Sequence, residues 1–213
     1  MPVQRIGVDE SGKGDFFGPL VVAAVYVAPE HYKELEGVKD SKKLKDDPCL
    51  KLDEVIRRVC PYSVVPISPA KYNDLWDKVT HLNTIIAWGH AKAIENVLGK
   101  VDCDHVVSDR FADSDGLERH LLESGRKVQL EGGINAEHDI AVAAASIVAR
   151  AEFIRRLRVL GDKVGVALPK GANWNAVDAG VELVKRFGKT VLREVAKTHF
   201  RTLQQVLKKA RDV

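Results

Sequence analysis

Cysteine is scarce and odd in number. Cys49, Cys60 and Cys103 form no CxxC pair and no Cys/His cluster, so neither a disulfide framework nor a zinc site organises this chain, and a reducing cytoplasm fits. Long apolar runs are missing too. The longest uncharged stretch, Phe16 to Pro29, is too short to span a bilayer, and no apolar segment follows a basic one at the N-terminus. No membrane partner and no targeting signal are expected. Internal repeats, low-complexity tracts and Gly/Ser/Pro linkers are also lacking. At 213 residues the chain has room for one full core and too little for two large domains, so residues 1–213 are expected to form a single domain.

Hydrophobic residues make up 45% and charged residues 30%, which excludes a disordered tail and leaves a globular chain. The net charge of +3 says little; its distribution says more. Residues 1–149 hold 18 Lys+Arg against 24 Asp+Glu, and residues 150–213 hold 15 against 6. An acidic working face and a basic segment able to hold a polyanion account for that split, and so does a solvated basic face on C-terminal helices.

Val3 to Asp9 reads as a strand ending in a glycine turn, and Leu20 to Val27 as a buried, β-branched strand, together an opening hairpin. Tyr62 to Ile67 supplies a third strand. Ser68-Pro69 then starts a helix, with Ser as cap and Pro in the first turn. Ile86, His90, Ala93, Ile94 and Val97 recur at helical spacing within Asn83 to Leu98. His90 lies in that apolar stripe, as a satisfied core histidine or as a catalytic group. His105 to Asp109 and Lys127 to Leu130 read as strands bracketing a helix around Leu117 to Glu123. The alanine-rich stretch from Asp139 to Leu160 is a helix suited to close approach. Helical patterns at Val177 to Phe187, Thr190 to Ala196 and Thr202 to Ala210 form a basic appendage over about residues 165–213. Strands alternating with helices after a hairpin predict an α/β fold with a mixed sheet.

Asp9 and Glu10 sit where the first strand meets Gly12-Lys13-Gly14. On a strand they would face opposite ways, but a turn at this point would bring Glu10 back toward Asp9. The glycines allow backbone N–H groups close to a sugar or phosphate, and Lys13 adds a cation. The segment is neither a Walker A loop nor a complete GxGxxG pattern. Asp109 ends another strand, and Glu137-His138-Asp139 precedes the alanine-rich helix, where acids also serve as caps. Each acid alone is unremarkable. Together, with no Ser-His-Asp or Cys-His arrangement, they suggest hard oxygen ligands for Mg²⁺ or Mn²⁺, since clustered carboxylates repel unless divalent cations neutralise them. Two such ions about 3.5–4 Å apart promote in-line phosphodiester hydrolysis.

These residues resemble a type 2 ribonuclease H, and within that group a ribonuclease HIII. The likeness spans nearly the whole chain: GVDESGKGDFFGPLVVAAVYV (Gly7 to Val27), VKDSKKL (Val38 to Leu44), AKYNDL (Ala70 to Leu75), HLNTIIAWGHAKAI (His81 to Ile94), SDRFAD (Ser108 to Asp113), AVAAASIVAR (Ala141 to Arg150), LPKGA (Leu168 to Ala172) and VAKTHFRT (Val195 to Thr202). The resemblance implies a ribonuclease H fold, a central mixed five-stranded sheet flanked by helices with a C-terminal helical appendage. It implies that Asp9, Glu10 and Asp109 are three of four metal-binding, catalytic carboxylates, with Glu137 as the fourth and Asp139 as the alternative. By the same likeness Gly12, Lys13 and Gly14 read ribose 2′-hydroxyls, the group that distinguishes RNA from DNA. Ser41, Lys42 and Lys43 match an element that contacts phosphates, and Asn73, with Asn83 beside it, is a candidate for the hybrid backbone. Both asparagines also suit turns or caps.

The implied activity is endonucleolytic hydrolysis of the RNA strand of RNA/DNA hybrids, with two Mg²⁺ or Mn²⁺ ions and 5′-phosphate and 3′-hydroxyl products. The expected partner is the hybrid, with no membrane and a monomeric chain in the cytoplasm. Relatives of this kind carry an N-terminal substrate-binding domain, whereas here the first acid is residue 9, and the basic C-terminal segment is expected to compensate through phosphate contacts. Ribonuclease HII senses an RNA–DNA junction with a C-terminal tyrosine. The tyrosines here, Tyr26, Tyr32, Tyr62 and Tyr72, all lie in the first half, which predicts cleavage within hybrids over incision at single ribonucleotides. The rival readings are that incision activity and a non-catalytic hybrid-binding module.

Overall fold

A computed structural model describes residues 4–38, 44–108, 128–132 and 139–211. Its five strands are β1 (Arg5–Ser11), β2 (Leu20–Val27), β3 (Tyr62–Ile67), β4 (His105–Ser108) and β5 (Gln129–Gly132). They form one sheet in the order β3-β2-β1-β4-β5. β1 and β2 make the expected antiparallel hairpin, with Asp9 opposite Ala23 and Glu10 opposite Val22. β4 runs parallel to β1, pairing Ser108 with Val8, and β5 runs parallel to β4. The sheet is therefore mixed and five-stranded as expected, and β1 is its central strand. A central strand has neighbours on both edges and layers on both faces, which is why β1 and β2 are buried almost throughout.

The helices among the described residues are α1 (Asp46–Val59), α2 (Pro69–Val79), α3 (Leu82–Leu98), α4 (Ile140–Val164), α5 (Trp174–Phe187), α6 (Val191–Val195) and α7 (Arg201–Arg211). α1 has no counterpart in the sequence reading, and the helix expected around Leu117 to Glu123 lies outside the described residues. Two compact units result. The first comprises Met1–Ser11, Val21–Val65 and Leu82–Ala151, the second Gly12–Leu20, Pro66–His81 and Glu152–Val213.

In the first unit Ile6, Val8, Val22 and Ala24 pack with Ala91, Ile94 and Val97 of α3. Alternation along β1 puts Ile6, Val8 and Glu10 on that side and Gly7 on the other. There the backbone of α4 lies so close that a Cβ at Gly7 would fall 2.0 Å from the Ala141 carbonyl carbon. The alanines that follow keep the approach possible. In the second unit Ser68 caps α2 by accepting from the Lys71 N–H at 3.3 Å. Asn173 caps α5 through Asn175 and Ala176. α5 and α7 meet where Gly180 faces Val206.

Candidate active site

β1 carries both acids inside the strand. It continues to Ser11, so the turn expected to return Glu10 toward Asp9 does not begin there. Instead the Asp9 carboxylate turns along the strand, and its Oδ1 accepts the Glu10 backbone N–H at 2.8 Å. Each acid is 9% exposed. Glu10 reaches across to α3, where its Oε2 lies 3.0 Å from His90 Nε2. Each carboxylate is a hard oxygen donor of the kind a divalent cation takes and is poorly suited to an apolar core, while strand alternation starts the two side chains toward opposite faces.

The other acids divide. Asp109 and Glu137 lie outside the described residues, as do Ser41, Lys42 and Lys43. Among the described residues no group of three or more His, Cys, Asp or Glu converges as a metal site. Asp139, the alternative to Glu137, contacts a helix start and an arginine. Its Oδ1 accepts the Ala141 N–H at 2.8 Å, capping α4, and its Oδ2 takes a 2.6 Å ion pair from Arg5. A carboxylate at a helix start gains from the helix dipole as well; this is the capping role.

In the second unit the loop from Gly12 to Pro19 is tightly fixed. Gly12 has φ +89°, and a Cβ there would fall 2.3 Å from the Pro19 carbonyl oxygen, so no other residue fits. Gly14 is exposed with open space beside its Cα. Asp15 Oδ1 accepts the Gly171 N–H at 2.6 Å, and Phe16 N–H donates to the Gly171 carbonyl at 3.0 Å. Gly18 N–H donates to the Val195 carbonyl, and Lys197 returns a backbone bond to Phe16. The Lys197 ammonium, wholly enclosed, donates to the Gly18 carbonyl at 2.7 Å. Held in this way, the loop presents a preset backbone at Gly12-Lys13-Gly14.

Asn73 has a different job from the one expected. It is 1% exposed, and its Nδ2 donates to the Arg193 and Ala196 carbonyls at 3.0 and 2.9 Å. Its Oδ1 accepts from the Thr198 N–H and hydroxyl at 2.9 and 3.1 Å. The amide is saturated by the chain's own backbone, so Asn73 ties α2 to the turn at 193–198 and offers nothing to a substrate.

A family model described as Ribonuclease HII matches residues 6–203. The chain belongs to that family. Its similar curated relatives are ribonucleases HIII. One from Protochlamydia amoebophila is 43% identical over 96% of this chain and 69% of its own length, and one from Chlamydia pneumoniae is 44% identical over 95% and 70%. Among solved structures, Bst-RNase HIII in complex with Mn²⁺ superposes with a TM-score of 0.92 at 29% identity, covering all of this chain and 71% of that one.

Within a ribonuclease HIII-like chain, His90 is the buried, satisfied histidine that one of its two readings expects, and its partner is what the sequence does not disclose. Its place in an apolar helical stripe suggests core packing, and it is buried. Nothing in α3 itself, however, says that its partner is an acid 80 positions earlier. The available signal was the parity of β1: Glu10 shares a side with Ile6 and Val8, the side on which α3 packs.

Proposed function

We propose that this chain is an endoribonuclease that hydrolyses the RNA strand of RNA/DNA hybrids, with Mg²⁺ or Mn²⁺ as cofactor and 5′-phosphate and 3′-hydroxyl products. The observation that carries the reading is the enclosed Asp9–Glu10 pair on the central strand of a ribonuclease HIII-like chain. Further support comes from the strand register and the sequence. Val8 of β1 pairs with Ser108 of β4, and in the sequence each is followed by an aspartate, Asp9 and Asp109. We assign Asp9, Glu10, Asp109 and Glu137 as the ligand set. The capping role of Asp139 supports Glu137 over it.

Two divalent cations, when bound, lower the pKa of an attacking water and neutralise charge on the leaving oxygen. Asp9 and Asp109 would hold the cations, Glu10 would act as a second ligand toward the scissile phosphate, and Glu137 would assist the attacking water and product departure. Backbone N–H groups at Gly12 and Gly14 approach a ribose, the 2′-hydroxyl supplying RNA selectivity, and Lys13, Ser41, Lys42 and Lys43 contact phosphates. The reading includes action by a monomer in the cytoplasm. Its three cysteines are buried and form no disulfide, which suits a reducing compartment, and among the described residues no helix is long and apolar enough to cross a membrane.

A labelled hybrid digested with Mg²⁺, with Mn²⁺ and with chelator tests the reaction. Cutting is expected with either ion and not with chelator, and a duplex carrying one ribonucleotide is expected to be cut poorly. Asp9→Asn and Asp109→Asn should each lose more than the roughly 10–100-fold that outer-shell changes cause, with circular dichroism unchanged. Glu137→Gln and Asp139→Asn, compared side by side, identify the fourth ligand, with the loss expected at Glu137. Full hybrid cutting in chelator, or normal turnover by Asp109→Asn with Mg²⁺, would overturn the proposal.

A further inference from the structure

The His90–Glu10 contact joins two side chains that are 4% and 1% exposed. Enclosing a carboxylate and an imidazole together is unfavourable unless each satisfies the other, so this pair is a placed interaction and not incidental packing. α3 is built to allow it. Gly89, Ala91 and Ala93 flank His90 and are buried, and such small side chains let the helix backbone approach β1 closely enough for the imidazole to reach the strand. An apolar residue at position 90 would continue the stripe of Ile94 and Val97 equally well, so packing alone gives no reason for an imidazole.

Resting on the proposed metal-dependent hydrolysis, we infer that His90 is a positioning residue for Glu10: its Nε2–H donates to Oε2 and so fixes the orientation in which the carboxylate meets a cation or substrate. Two effects follow. The carboxylate stops rotating between alternatives, and one of its lone pairs is already occupied when a cation arrives. Removing partners of this kind from around ligating groups typically changes metal affinity or activity by about 10–100-fold. His90 itself touches no reacting atom in this scheme.

The test uses the full chain with His90→Leu, His90→Asn and His90→Gln, with Asp9→Asn as reference. Mn²⁺ binding is read by titration calorimetry, kcat and KM on a labelled hybrid, and folding by thermal melting. Glutamine reaches far enough to donate from its amide to Oε2, asparagine is too short, and leucine cannot donate. His90→Leu and His90→Asn should therefore weaken Mn²⁺ binding by about 10–100-fold and lower kcat with KM nearly unchanged, and His90→Gln should recover most of both. Should His90→Leu fail to fold, the Asn and Gln pair decides the matter. Wild-type Mn²⁺ affinity in the Asn variant, or equal impairment in the Asn and Gln variants, overturns the inference. A wild-type chain that binds Mn²⁺ but leaves every hybrid intact sinks the functional reading instead, and the Mn²⁺ titration still decides the role of His90.

Discussion

Lys197 shows how much a single side chain can contribute to the pH response of this fold. Its ammonium is wholly enclosed, bonded to the Gly18 carbonyl and 5.9 Å from the centre of the Tyr72 ring. Loss of solvation pulls its pKa down to about 7, with the Asp15 charge opposing. His199, stacked 4.0 Å from the Trp76 ring, is drawn to about 4, first by burial and then by the Lys197 charge. In both cases the folded chain gives up its proton more readily than the unfolded chain. Stability therefore rises with pH between about 4 and 6.5 through His199, and between about 7 and 10.5 through Lys197. Each group contributes a slope of at most about 1.4 kcal/mol per pH unit inside its window. Urea unfolding across pH 4–9 should show both rises, since above about 9 the buried thiols of Cys60 and Cys103, held protonated by burial, pull stability down again. Lys197→Met should remove the alkaline one and His199→Phe the acidic one. A Lys197→Met variant whose stability climbs from pH 7 to 9 as steeply as wild type would refute the assignment.

Among the elements, the junction between β1 and the start of α4 tolerates least change. A Cβ at Gly7 would overlap the Ala141 and Val142 backbone at 2.0–2.3 Å, and backbone cannot rotate aside as a side chain does. Gly7→Ala should destabilise by about 3 kcal/mol or more, above the usual range for overpacking, as read by chemical denaturation. Gly14→Ala, with open space around it, should melt near wild type. Much at this scale was legible in advance. β2 and β3 fall on the expected residues because continuous apolar or β-branched runs leave little choice. α2 begins after its Ser68 cap because that signal is local. α1 was missed because its buried positions, Cys49, Asp53 and Ile56, include an aspartate paired with Arg57 in place of an apolar stripe. The candidate site was legible as residue types, but its pairings were not. Glu10 with His90, Asp139 with Arg5 and Asn73 with the 193–198 turn all join positions 80 or more apart, and no local pattern encodes such partners. Asn73 looked like a substrate contact because a polar residue in a motif reads the same whether it faces a ligand or its own backbone.

For the molecule as a whole, the uneven charge is the feature that bears most on a polyanionic partner. The excess of Lys and Arg in residues 150–213 is not uniformly available. Lys209 is paired with Asp178 at 2.6 Å, and Arg186 pairs with Glu182 and donates to the Gly165 carbonyl. Surface pairs of this kind are weak and screened by salt, yet they direct those two side chains toward the protein. Lys185, Lys208 and Arg211 are exposed on α5 and α7, and they are the better candidates for phosphates of a bound hybrid. A cation that neutralises a phosphate releases condensed counterions, so removing one such cation should reduce the slope of log K against log salt by about 1. Replacing Lys185, Lys208 and Arg211 together by Gln should weaken hybrid binding at low salt and flatten that slope by about 2–3, with kcat at saturating substrate unchanged. Reversing only Asp178 and Glu182 to Lys should steepen it, since both paired cations are then released outward. Fluorescence anisotropy on a catalytically silent Asp9→Asn background measures the slope directly. A triple variant with the wild-type slope would mean that the basic face is solvated and unused.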